Sequence, residues 1–176
     1  MNKPSSLVDS AWPSMGYSRY TYNDTQIIAA VYGPYESRFS QKSDFQSAII
    51  DVVLSDCLFS IDTSSHEQIL KTFFSSIIDT SKYPYLSIML NFQILSHGCN
   101  LLSSCMNAGL EALKFSNIEL KTEFLAREYS ISSSQIALAI VPKTDMILFS
   151  FCKVPLSFSD YKKCVEDLYK ESLNLI

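Results

Sequence analysis

The chain has 176 residues, a length that predicts one domain with a sizeable core. Apolar residues make up 47% of it and charged residues 18%, a balance that excludes a disordered chain. The net charge of −4 argues against a stand-alone tight binder of nucleic acid, and only 4 glycines argue against long glycine loops for phosphates or dinucleotides.

Residues 1–15 contain Pro4, Pro13 and several serines and read as an irregular N-terminal arm, with the domain proper over 16–176. The polar start predicts no signal peptide. Two strands are predicted near 17–22 and 25–32, joined by a turn at Asn23-Asp24. The second belongs to the run Asp24-Thr-Gln-Ile-Ile-Ala-Ala-Val-Tyr-Gly33-Pro34, β-branched and aliphatic until the Gly-Pro pair stops it. Tyr35 to Asp44 is polar, carries Arg38 and Lys42, and reads as a loop. Gln46 to Leu54 predicts a third strand, and Ser55 to Ser65 a polar connection without Lys or Arg.

Ser64-x-x-Glu67 has the form of a capping box. Ile69, Leu70, Phe73, Phe74, Ile77 and Ile78 then repeat at helical spacing. Asp79 to Lys82 end that helix, and Pro84 follows. From Tyr85 to Leu95, Leu86, Ile88, Leu90 and Phe92 alternate with Ser87, Met89, Asn91 and Gln93, which predicts a long strand. Asn91 and Gln93 also keep this apolar run too short for a membrane span. A turn at Ser96-His97-Gly98 leads to a second helix with the stripe Leu101, Leu102, Cys105, Met106, Gly109, Ala112 and Leu113. Strands follow near 122–128, 134–141 and 145–152, the last two joined by a turn over 142–145. A closing helix is capped by Ser157 or Ser159 and striped by Tyr161, Cys164, Val165, Leu168 and Tyr169. The order β-β-β-α-β-α-β-β-β-α predicts an α+β domain, a mixed sheet packed with three main helices.

Few residues carry chemistry. The five cysteines (Cys57, Cys99, Cys105, Cys152 and Cys164) are odd in number and lack a C-x-x-C pair. They read as reduced, buried thiols of an intracellular protein rather than zinc ligands. His66 sits at a helix start and His97 in a turn, and no Gly-x-Ser-x-Gly elbow accompanies them, so no hydrolase triad is expected. Lys162, Lys163 and Lys170 share their helix with Asp160, Glu166, Asp167 and Glu171, a solvated, charge-balanced face. Tyr17, Tyr20, Tyr22 and Tyr32 read as half-buried sheet residues or interface anchors rather than a stacking platform.

Two segments carry a resemblance. The run from Asp24 to Pro34 resembles the first conserved hairpin of the RNase PH family. The stretch from Tyr83 through His97-Gly-Cys-Asn-Leu-Leu-Ser-Ser-Cys-Met-Asn107-Ala108-Gly109 to Leu113 is similar to that family's core strand, turn and buried helix, including its Asn-Ala pair. Together with the elements between them, they cover roughly residues 16 to 120. The resemblance implies an RNase PH-like domain, and either phosphorolytic RNA degradation or a scaffold descended from it.

The family's catalytic pattern is missing. Active members open the second helix with Gly-Gly-Thr-Arg, which holds the attacking phosphate on helix amides and a fixed positive charge. Cys99, Asn100, Leu101 and Leu102 stand there instead. The acidic pair expected after the next strand is replaced by Glu128-Tyr-Ser-Ile-Ser-Ser-Ser-Gln135, and the RNA-gripping arginines before the first helix are absent. The implied reading has no catalytic residue, cofactor or metal.

Loss of this kind marks ring subunits of the eukaryotic RNA exosome, and Asn100 to Ala108 and Leu168 to Leu173 resemble stretches of one of them. That resemblance implies a non-catalytic, hetero-oligomeric ring subunit supporting 3′-to-5′ RNA processing, including that of ribosomal RNA. Its partners would be other RNase PH-like subunits and cap proteins, with RNA reached through the assembled ring and no membrane. It implies a place in the nucleus, with its nucleolus, and in the cytoplasm. The loop after Gly33-Pro34 faces the pore in such rings, which makes Arg38 and Lys42 the candidate RNA contacts. An active phosphorolytic exoribonuclease and an unrelated α/β interaction module are the alternative readings.

Overall fold

The computed structural model describes residues 5–7, 15–36, 46–57, 63–96, 98–131, 134–142, 144 and 146–173. A five-stranded sheet contains β1 (Ser5–Leu7), β2 (Gly16–Tyr22), β3 (Thr25–Glu36), β4 (Ile49–Asp56) and β5 (Leu86–Ser96), in the order β1-β2-β3-β5-β4. β2 and β3 form the predicted hairpin, and β3 pairs antiparallel with β5. β4 runs parallel to β5, and α1 (Ser64–Ile77) makes the crossover that a parallel pair requires. A second, antiparallel sheet of β6 (Leu125–Ile131), β7 (Ser134–Val141) and β8 (Met146–Cys152) carries α3 (Phe158–Leu173) against β6 and β7.

α2 (Leu101–Phe115) lies between the two sheets, against β2 and β3 on one side and β6 and β7 on the other. Its apolar residues run nearly all the way round, and all but Glu111, Lys114 and Phe115 are buried. A helix apolar on every face belongs inside a core. Gly109 permits a close contact: a Cβ there would stand 2.4 Å from the Phe74 ring of α1 and 3.0 Å from Phe92 of β5. Phe74 and Phe92 stack at 5.9 Å. A smaller core lies under α3, where Ile136, Leu138 and Ile140 of β7 meet Cys164 and Leu168.

The family-like Asn107-Ala108 pair has a physical role. The Asn107 amide accepts the Ala126 N–H at 3.1 Å and donates to the Ala126 carbonyl at 2.9 Å, standing in for a neighbouring strand along β6. It also donates to the Tyr20 hydroxyl at 3.2 Å. The Ala108 carbonyl accepts the buried Ser18 hydroxyl at 2.7 Å. Arg127 completes this network. Its guanidinium bonds Glu171 of α3 at 3.1 Å, reaches Tyr20 Oη at 3.4 Å and lies 4.8 Å over the Tyr22 ring.

Several expectations change. Within the expected arm, Ser5–Leu7 form a strand on β2. Gly33-Pro34 does not end β3; the strand continues to Glu36 through a register irregularity between Tyr32 and Tyr35. Gly33 adopts φ 113, and a Cβ there would stand 2.6 Å from the Ser87 carbonyl oxygen, so glycine lets the strand pass rather than turn. The Ser64-x-x-Glu67 capping box does not form: Thr63 holds the cap position, and Glu67 accepts the Leu54 N–H at 2.8 Å. A tertiary backbone donor outcompetes the local one. At α3 the expected cap is present, with Ser157 Oγ accepting the Asp160 N–H at 3.3 Å.

Candidate functional site

The first four N–H groups of any helix lack an intrahelical partner. Residues just before the helix, or in its first turn, usually answer them. α2 offers little of this kind: Asn100 makes no side-chain cap, and the first turn has no acidic residue. The answer comes from β6. Glu128 Oε1 accepts the Ser103 N–H at 2.8 Å, and the Leu102 amide also bonds this carboxylate. The carboxylate thus lies at the positive end of a 15-residue helix.

Here a cleft of about 260 Å³ opens. Leu101 and Leu102, 8% and 5% exposed, line it together with Ala137 of β7 and Phe151 of β8. His66 of α1, Cys99, Glu128, Gln135 and Lys153 supply its polar groups. The turn before α2 is fixed from the hairpin side: Gly98 N–H donates to Thr25 Oγ1 at 3.0 Å, and Ser96 Oγ donates to the Asp24 carbonyl at 2.9 Å.

Burial pushes the Glu128 carboxyl up to about 7, against the opposite pull of the two amides and of the Lys153 charge. Burial, reinforced by the neighbouring Glu128 charge, also pushes the Cys105 thiol well above its ordinary value, leaving it protonated. Among the described residues, no group of three or more His, Cys, Asp or Glu side chains could hold a metal ion.

Leu101 and Leu102 therefore sit at the start of the buried helix, as expected, and form part of the cleft. His66, read as a helix-start residue, faces the same cleft. Arg38, Lys42 and His97 lie outside the described residues. Tyr17 and Tyr20 are buried, and Tyr22 and Tyr32 half-buried, in the sheet. The thiols depart from expectation: Cys105 and Cys164 are buried, but Cys57, Cys99 and Cys152 are exposed, because they fall at element ends rather than on core faces. Glu128 is the residue that sequence reasoning missed. The sequence carried no signal of it: Asn100, an ordinary capping residue, precedes the helix, and only the structure shows that its side chain makes no cap.

Residues 7–119, more than half of the chain, match the family described as 3′ exoribonuclease family, domain 1 (RNase PH). A Caenorhabditis briggsae protein provisionally named exosome complex component RRP41 is 27% identical over 116 residues, covering 57% of this chain and 46% of that protein. The chain thus spans about half the length of the curated relative it matches. Among solved structures, rice (Oryza sativa) Rrp46 superposes with a TM-score of 0.89 at 22% identity, covering 99% of this chain and 91% of that one. An archaeal exosome core gives 0.71 at 12% identity, over 98% and 84% of the two chains. The Archaeoglobus fulgidus exosome with RNA bound to the active site gives 0.72 at 13% identity, over 98% and 86%. At these identities the structural likeness establishes the fold. No helix among the described residues is long and apolar enough to cross a membrane.

Proposed function

Because the chain belongs to the 3′ exoribonuclease (RNase PH) family, we propose that it is a non-catalytic ring subunit of an exosome, of the kind called ribosomal RNA-processing protein 46. It would support 3′-to-5′ RNA processing by closing the ring and lining the RNA path, beside other RNase PH-like subunits and cap proteins. Nucleus, nucleolus and cytoplasm are its proposed locations.

The observation that carries the non-catalytic part is the Glu128 carboxylate on the Ser103 N–H. Helix amides are the groups that would hold an attacking phosphate. Here an internal anion holds the Ser103 and Leu102 amides, and a phosphate brought alongside would meet like charge in a partly desolvated cleft. Among the described residues no arginine lines the cleft to offset that repulsion; its basic groups are His66 and Lys153. The competing reading, an active phosphorolytic enzyme, draws on the carboxyl near 7, a value suited to a general acid. It is disfavoured because Glu128 is bonded to helix amides and, among the described residues, no second carboxylate lines the cleft.

Purified chain given a 3′-tailed RNA, inorganic phosphate and Mg²⁺ is expected to release no nucleoside diphosphates. Release that survives repurification and vanishes on Glu128→Gln would establish the enzyme reading instead. Co-purification under mild salt tests the ring: recovery with other RNase PH-like chains is expected, and recovery alone would refute it.

A further inference from the structure

Glu128 brings a negative charge into a cleft that does not balance it. Among the described residues its hydrogen-bond partners are backbone amides, and no ion pair reaches it. Lys153, exposed near the end of β8, lowers its pKa only as the weakest of several influences. A carboxylate has more acceptor capacity than two amides fill. Leu101, Leu102, Ala137 and Phe151 give the cleft an apolar and aromatic side, beside the polar His66, Cys99, Gln135 and Lys153. Its volume of about 260 Å³ suits one long side chain rather than a polymer.

We propose that this cleft is a socket for an arginine side chain of a neighbouring subunit, an inference that rests on the ring reading above. Charge complementarity selects a cation. A half-buried carboxylate beside leucines and an aromatic ring favours a long stem with a charged head over a compact, strongly hydrated ion. The planar guanidinium pairs with a carboxylate through two parallel N–H groups and packs flat on a ring such as Phe151. Burial has already raised the Glu128 pKa to about 7, so an arriving guanidinium would relieve an existing penalty. His66 and Lys153, the other charged or titratable groups facing the cleft with Cys99, make the occupant's charge the deciding test.

The test uses the isolated chain, labelled with ¹⁵N, at pH 8 and low salt. N-acetyl-argininamide is titrated while the Ser103 and Leu102 amide resonances are followed. Saturable shifts in the millimolar range are expected, with N-acetyl-citrullinamide, the uncharged isostere, producing none. Glu128→Gln should abolish the response while its circular dichroism and cooperative melt show a folded chain. No saturation, an equal response to the citrulline compound, or an equal response to MgCl₂ alone would overturn the socket. The ring reading fails separately, by co-purification: amide shifts without a complex would keep the socket's chemistry and remove the neighbour, and a complex without shifts would do the reverse.

Discussion

Replacing Glu128 by glutamine removes one negative charge and keeps an oxygen in place to accept the Ser103 N–H. Below pH 4.5 the carboxyl is protonated in both the folded and unfolded chains and contributes no pH dependence. Between 4.5 and about 7 the folded chain retains a proton that the unfolded chain releases. Stability therefore falls as pH rises through this window, and above it the full cost of holding the buried charge is present. The span from 4.5 to about 7, at ~1.4 kcal/mol per pH unit, sets that cost at about 3 kcal/mol. The substituted glutamine carries no charge at any pH, so the variant should gain on the wild type as pH rises from 5 to 8. Between pH 5 and 8 about 2.5 kcal/mol of that cost develops, which for a chain of this size corresponds to roughly 5–10 °C in Tm. Thermal melts of both proteins across that range measure it. A constant difference, or a variant that falls further behind as pH rises, would show that the helix amides favour the ionised form more than burial penalises it.

Two other substitutions probe different parts of the reading. Leu102→Arg places a guanidinium on a residue only 5% exposed; it should cost about 2–4 kcal/mol in chemical denaturation and produce no phosphate-dependent RNA cleavage, whereas an unchanged midpoint would mean that position 102 does not pack in the core. Arg38→Ala with Lys42→Ala should weaken RNA binding by the assembled ring and flatten its salt dependence by up to two phosphate contacts, leaving assembly intact; salt titration of both complexes reads this directly, and identical slopes would remove the loop from the RNA path.

The elements that could be read in the sequence are those whose pattern is local. The alternation from Leu86 to Gln93 and the stripe from Leu101 to Leu113 each recover an element nearly to its ends. The long-range pairings that complete the fold left only partial traces. The Ser64-x-x-Glu67 signature is genuine as a local pattern, yet Glu67 is claimed by the Leu54 N–H, 13 positions away in sequence. Gly33-Pro34 looks like a stop, but β5 alongside holds β3 extended to Glu36. Glu128 showed least, because its role is set by a helix start 25 residues earlier. Asn100 stands where a capping residue would, so the sequence shows neither that its side chain makes no cap nor that Glu128 takes its place.

Three consecutive residues of β6 hold the site together. Ala126 is fixed through its backbone by Asn107 in the middle of α2. Arg127 ties the strand to Glu171 of α3 and to Tyr20 of β2. Glu128 closes the start of α2. The carboxylate therefore stays on its amides only while β6 keeps its register and position, and Arg127 is the one of the three that anchors the strand to α3. Arg127→Met keeps the long apolar stem but loses the ion pair, whose arginine side chain is 7% exposed and whose glutamate is 27% exposed. Breaking a pair buried on one side should cost about 3 kcal/mol in urea unfolding. If β6 transmits the change, the Ser103 amide should also lose protection from hydrogen exchange by more than amides in the middle of α2. Mass spectrometry or NMR exchange on the folded variant distinguishes the cases. A stability loss with Ser103 protection reduced only in step with the rest of α2 would make Arg127 a general brace for α3, and would leave Glu128 held by α2 alone.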